Sequence, residues 1–434
     1  MDEDTSATHH HAAGRTAGPA GVVLRDPVYR SMFLILVAQG VVFGSQMPFM
    51  PLWAQDRLGA GTIEVGVVGV VASIVSTIFG FAYGMATDRT RRRVAWLVAA
   101  YGLAIPLRIF LAYVTDLTVG AAAYAIASMA MFVLHFAILG DWFRYRNEPR
   151  GAEITNIVRL GFTSGWLIGS FGAGWWVARF GYDGLYLATA ALQVLSFVLL
   201  VVGVRDAPIQ SDPVARSAGG GIADPETWRE FSRPEVAWYL ASTVCMGAAG
   251  VARMTLLPLY LREAVTAEGE ALGTEAIGMV FGIETVWEIP VALLAGAVVR
   301  RVGVSRVLQA GIVASVMYFA AVAATSTFLP FMVIEALYAT VVTTTFGFGI
   351  VHMQHMIPDR GGTAIAMYNA AGTVGPVFAA PLLGWVAVEI GWTAMFAMAS
   401  MLSVAAFWAF TMSERVSRTN RLLRSESVQN LGTA

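Results

Sequence analysis

The chain has 434 residues, of which 57% are hydrophobic and 13% charged, and its mean hydropathy is +0.64. Soluble domains carry roughly 25% charged residues, so water is excluded as the main solvent for most of this sequence. A net charge of −1 and a single cysteine, Cys245, exclude a generally basic nucleic-acid-binding chain, a disulfide framework and a thiolate metal site.

Residues 1–29 are polar, include His9, His10 and His11, and lack the apolar core of a cleavable signal peptide. A disordered cytoplasmic tail is expected there. Apolar segments follow at 30–54, 64–87, 94–115, 118–142, 153–178 and 183–204, then at 235–261, 273–299, 305–325, 327–356, 361–388 and 391–412. Each is long enough to cross roughly 30 Å of hydrocarbon as a helix, and nearly all charges fall between them. We term them spans 1 to 12. A β-barrel would alternate apolar and polar residues over ten-residue strands, and no such alternation dominates.

The sequence therefore predicts an all-α membrane protein with twelve transmembrane helices in two pseudo-symmetric six-helix bundles, 30–204 and 235–412. Between them, 205–234 is rich in Pro, Gly, Ser and mixed charge and reads as a cytoplasmic linker; 413–434 reads as a cytoplasmic tail. All 28 basic residues are arginines. The two tails and the loops after spans 2, 4, 6, 8 and 10 hold 22 of them, against Arg57, Arg179 and Arg262 on the other side, so both termini are expected in the cytoplasm.

Span 2 ends in Gly84-Met-Ala-Thr-Asp88-Arg89-Thr-Arg-Arg92-Arg93, and span 8 ends in Gly296-Ala-Val-Val-Arg300-Arg301, 212 residues later. Gly165, Gly174, Trp175 and Gly181 recur 210 residues later as Gly375, Gly384, Trp385 and Gly391. Two homologous halves follow, with a binding site near the midplane and halves that rock against each other.

These residues carry a resemblance. GxxxDR with its basic cluster resembles the major facilitator signature, with Arg91 where that family commonly has glycine. Gln46-Met-Pro48-Phe-Met-Pro-Leu in span 1, Arg159 with Ser164-Gly165-Trp166-Leu-Ile-Gly169 in span 5, and Glu288-Ile-Pro290 in span 8 are similar to the bacterial sugar efflux transporters. The chain has Gly169-Ser170 where those relatives often show Gly-Pro. The resemblance implies a monomeric inner-membrane secondary transporter, exporting a sugar or sugar-like solute in exchange for protons.

An ionisable side chain in the bilayer costs about 2.5–3.5 kcal/mol, so each one needs a cavity or a partner. Glu284 and Glu288 lie one turn apart on one face of span 8, where two carboxylates should not both stay ionised; Glu288 is the preferred proton carrier, against permanent pairing with an arginine. Arg159 lies about 9 Å inside the end of span 5 and reads as a substrate contact or as half of a fixed salt bridge. Spans 7 and 10 are neighbours by the resemblance, which makes Arg253 and Glu335 a mutual ion pair before any coupling role. His135 is read as packing before coupling, and Arg108 as extending toward the surface.

Sugars present apolar ring faces edged by hydroxyls, chemistry that Gln46, Asn156, Arg159, Trp166, Trp287, Tyr368 and Asn369 supply. Packing accounts equally for the aromatic ones. Asp88 is expected to face the N-terminus of span 11 at 361–363, forming a conformational gate with Gly84, Arg89, Arg92 and Arg93; Glu153 and Arg300 are its pseudo-symmetric pair.

No GxxxxGK[ST], HExxH or paired CxxC occurs, and no nucleophile, base and orienter share a face, so neither an enzyme nor a cofactor is expected. A multidrug exporter of the same fold, favoured by the 19 methionines, and a non-transporting sensor are the other readings.

Overall fold

The computed structural model describes residues 18–90, 92–128, 132–208, 229–267, 269–357 and 361–432. Every predicted span lies on helix. Among the described residues, ten helices are long and apolar enough to cross a membrane. One of them, Glu153–Gly203, carries both span 5 and span 6, and of span 4 the helices Leu117–Ala127 and Phe132–Arg146 are described, with 129–131 outside the described residues. Large apolar side chains such as Leu293, Leu294, Leu329 and Phe378 stand exposed along the spans, as lipid-facing surface requires.

Local signals explain the helix ends. Asp26 caps span 1, its carboxylate accepting from the backbone N–H of Val28 at 3.0 Å and of Tyr29 at 3.2 Å, with Pro27 at the first helical position. Span 7 also opens on a proline, Pro234. Spans 5 and 6 turn on Gly181 at φ 66°, and spans 11 and 12 on Gly391 at φ 115°. Both lie in the left-handed region that a side chain resists, which is why the repeat keeps glycine at these two turns. Span 7 is interrupted by a π-helical turn, Ala252–Leu256, placed before Pro258, whose missing N–H leaves a gap in the hydrogen-bond ladder.

Two compact units organise these helices. The first comprises the described residues of Met1–Trp53, Val71–Ser211 and Thr274–Gly282; the second those of Ala54–Val70, Asp212–Gly273 and Ile283–Ala434. The start of span 2 falls in the second unit and the start of span 8 in the first, beside the expected bundles of 30–204 and 235–412.

Glycines cause this. In the first unit a Cβ on Gly174 would strike the Thr274 carbonyl oxygen, and one on Gly278 would lie 2.7 Å from the Ser170 oxygen. In the second, a Cβ on Gly66 would lie 2.9 Å from the Ala380 oxygen and one on Gly384 3.1 Å from Ile63 Cα. These contacts correspond residue for residue under the 210 and 212 offsets.

Within each unit a second seam runs backbone to backbone. A Cβ on Gly165 would strike the Val37 carbonyl oxygen and one on Gly40 that of Phe162, joining spans 1 and 5. Gly375 on Val244 and Gly247 on Gly372 repeat the seam between spans 7 and 11. Small residues permit this approach where lipid offers no hydrophobic drive for helix association. The cores beside the seams are apolar: Met32, Ile35, Leu36, Leu97, Leu139 and Leu200 in the first unit, and Val236, Tyr239, Ile312, Met353 and Phe410 in the second.

Two terminal expectations change. The chain before span 1 contains a helix, Pro19–Arg25, while residues 1–17 lie outside the described residues. The last helix runs from Trp392 to Gly432 rather than ending near 412, because no Pro or Gly interrupts 413–431. Ser413 Oγ donates to the Glu235 carbonyl at 2.6 Å and Asn420 Nδ2 to Glu235 Oε2 at 3.2 Å, fixing the first turns of the extension past residue 412. Most of the expected linker, 209–228, lies outside the described residues.

Candidate functional site

Two buried polar nodes stand out, one in each unit. In the second, Arg253 in the π-turn of span 7 and Glu335 in span 10 are both fully buried, and Arg253 Nη2 donates to Glu335 Oε2 at 2.9 Å. Tyr318 in span 9 donates its hydroxyl to the other carboxylate oxygen at 3.0 Å. The guanidinium lies 4.8 Å from the ring centroid of Tyr338, close enough for a cation–π contact. Glu284, 4% exposed, brings a second carboxylate within electrostatic reach of the pair.

Two acids and one arginine make a centre with one negative charge in excess when all are ionised, and one proton removes it. Glu288, one turn further along span 8, is half-buried. Trp287 donates its indole N–H to the Met332 carbonyl at 2.8 Å, linking spans 8 and 10 through an exposed ring.

In the first unit, Arg108 is 2% exposed, which corrects the expectation that it extends toward the surface. It donates to Gln46 Oε1 and, at 3.1 Å, to the Ala127 carbonyl. Gln46 Nε2 donates in turn to Thr189 Oγ1 at 2.9 Å, so Gln46 is engaged inside its own unit. His135, also 2% exposed, lies 2.6 Å from the Tyr101 hydroxyl. Gln39 Nε2 donates to Ser196 Oγ at 3.0 Å and to Gln193 Oε1 at 3.3 Å. Gln39, Tyr101, Arg108, His135 and Gln193 line one cleft.

The other anticipated residues scatter. Glu153, Asn156 and Arg159 are exposed along one side of span 5, and Asn369 is exposed on span 11. Trp166 is half-buried, its ring 6.1 Å from that of Phe162. Tyr368 stacks on Tyr239 at 6.0 Å and donates to the Thr345 carbonyl at 2.8 Å, so its hydroxyl is occupied.

Of the expected gate, the surroundings of Gly84, Asp88, Arg89 and residues 361–363 lie outside what is described. Arg92 and Arg300 are exposed. Arg93 bonds within its own unit, donating to the Ala137 carbonyl at 2.9 Å and pairing with Asp141 at 3.2 Å.

Tyr101, Tyr318, Tyr338, Gln39 and Gln193 were missed by the sequence reading. The repeat gives none of these five a matching partner, but it relates the two nodes. Counted from the first residue of each helix, Gln46 and Arg253 are both twentieth, in spans 1 and 7, and Tyr124 and Glu335 both eighth, in spans 4 and 10.

Paired six-helix repeats with charged nodes buried in both define a multi-pass membrane transporter of duplicated design, not an enzyme. The sequence matches the Major Facilitator Superfamily profile over residues 32–359 and 269–429, and the chain belongs to that family. It is 23% identical over 389 residues to Sugar efflux transporter A of Escherichia coli K12, covering 88% of this chain and 95% of that one. To Multidrug resistance protein MdtG of Dickeya zeae it is 25% identical over 414 residues, covering 89% and 94%. In fold it is similar to the nucleoside transporter NupG, with TM-score 0.71 at 15% identity over 88% of this chain and 98% of the other. A peptide transporter POT bound to alafosfalin gives TM-score 0.75 at 11% identity over 93% and 99%.

Proposed function

We propose that this transporter works by alternating access and exports a sugar or sugar-like solute from the cell in exchange for protons. Its halves repeat each other, as rocking about a midplane site demands, and relatives matched along 88% of the chain carry the name sugar efflux transporter. Both termini face the cytoplasm of the inner membrane, and the chain acts as a monomer. Asn156 and Arg159 in the first unit and Asn369 in the second, all exposed, remain the polar contacts proposed for the solute, and Gln46, Trp166, Trp287 and Tyr368 remain proposed contacts, each within its own unit.

The observation that carries proton coupling is the buried centre of Arg253, Glu335 and Glu284, with Glu288 one turn away. A single uncompensated charge there is costly in hydrocarbon. Taking up one proton removes that cost, and exchanging it with Arg253 as counter-charge gives the centre two states of different net charge. His135 is the proposed relay in the first half. Asp88, Glu153 and Arg300, with the arginines beside Asp88, are the proposed gate.

The measurement is solute-induced proton movement in proteoliposomes, comparing wild type with Glu284→Gln and Glu288→Gln against sugars and lipophilic cations. A sugar-driven pH change that either substitution abolishes is the expected result. Sugar flux without proton movement removes the coupling. A response to lipophilic cations alone moves the substrate to the multidrug class, which the resemblance to the Dickeya protein favours.

A further inference from the structure

Arginine cannot shed its charge, so a buried guanidinium needs an anion or pays in solvation. Arg253 has Glu335. Among the described residues Arg108 has neutral surroundings: the Gln46 side-chain oxygen, the Ala127 carbonyl, and the phenols of Tyr101, Tyr124 and Tyr186. Its Nε makes no hydrogen bond.

The internal repeat explains what is missing. At the position in span 4 that corresponds to Glu335, the first half carries Tyr124, which brings no charge. Beside Arg108 lies the cleft with Gln39, Tyr101, His135 and Gln193 in its wall. Gln193 is 1% exposed and its Nε2 is likewise unbonded, so the unused capacity of this cleft is donor capacity, backed by one fixed positive charge. Its matching ligand is an acceptor that carries negative charge.

We propose that this cleft is an anion site, in which Arg108 holds a carboxylate or similarly small oxyanion and Gln193 donates to it. The ligand does for Arg108 what Glu335 does for Arg253. It is either a free small anion or the acid group of the transported solute. Neither the direction of transport nor proton coupling enters the argument, so failure of the exchange mechanism leaves the site standing.

The test is thermal unfolding of the purified full-length protein at constant ionic strength, with acetate replacing a bulky sulfonate. At a hundredfold excess over Kd, wild type should gain roughly 5 °C, saturably, and Arg108→Gln should gain nothing. Tyr124→Glu supplies the acid from within: it should unfold at the acetate-saturated temperature without acetate and show no further response. This second variant reads out the site even if Arg108→Gln does not fold. A wild type indifferent to both acetate and glucuronate, or an equal gain in Arg108→Gln, overturns the proposal.

Glucuronate and glucose distinguish the sources. A gain with glucuronate that acetate does not reproduce assigns the acid to the solute, and equal gains with both acids assign a free anion. A gain with glucose equal to that with glucuronate, acetate giving none, overturns the proposal in favour of hydroxyl recognition.

Discussion

Breaking the Arg253–Glu335 pair from one side should cost far more than removing it altogether. Both partners are fully exposed to neither water nor lipid, and both oxygens of Glu335 are engaged, by Arg253 at 2.9 Å and Tyr318 at 3.0 Å. Truncating one member of a buried pair leaves the other charge without compensation and costs about 3–5 kcal/mol. For a unit of this size each kcal/mol moves the unfolding temperature by about 2–4 °C, so Arg253→Met, which strands Glu335 together with Glu284, should lower it by roughly 6–20 °C.

Glu335→Gln should fall less far, because Glu284 remains as a counter-charge for Arg253. The double variant Arg253→Met/Glu335→Leu removes both charges and should lie well above the sum of the single losses, with a coupling of at least about 2 kcal/mol. Size-exclusion of detergent-solubilised protein after heating measures all three. Additive losses, or single variants within 2–3 °C of wild type (under about 1 kcal/mol), would refute the pair as a buried electrostatic unit.

Elsewhere the expected effects separate by burial. Gly165→Leu drives a side chain into the Val37 carbonyl and should abolish recovery of folded protein, whereas Gly172→Leu, with nothing near its Cβ position, should be tolerated; monodisperse yield compares them. Asp56 and Arg262 pair at 2.7 Å but are 45% and 29% exposed, so Asp56→Asn should change stability by under about 1 kcal/mol and lose even that in high salt, read from melting curves at two ionic strengths. Ser413→Ala deletes the bond to the Glu235 carbonyl and should cost about 1 kcal/mol, read from the same curves.

The twelve spans were legible because hydrocarbon thickness dictates the length of an apolar run, and the duplication because both halves kept glycine where backbones touch. Helix neighbours were legible only through the repeat and the family. The placement of the starts of spans 2 and 8 was not, because it depends on Gly66 and Gly278 meeting particular carbonyls, which no local pattern encodes. Arg253 and Glu335 were readable as a pair because both are ionisable residues in apolar sequence and the family resemblance makes spans 7 and 10 neighbours. Arg108 looked the same in sequence, yet it lies inward, since Gln46 and a span 4 carbonyl form its receptor and neither is charged. Tyr318 and Tyr338 gave no signal, because a tyrosine in a span reads alike whether its hydroxyl serves a carboxylate or points to a headgroup.

The glycine seams between spans 1 and 5 and between spans 7 and 11 bear on how this molecule deforms. Side chains can hop between rotamers and absorb a displacement; two backbones in contact have nothing comparable to rearrange. Each joined pair therefore acts as a girder, passing a push at one end to the other with little loss. Compliance has to reside where the hydrogen-bond ladder is already open, at the π-turn of span 7 and at the prolines inside spans 3, 8 and 11, Pro106, Pro290, Pro376 and Pro381. Arg253 occupies the first of those hinges, so a change of charge at its partner is felt at a point where the helix can bend.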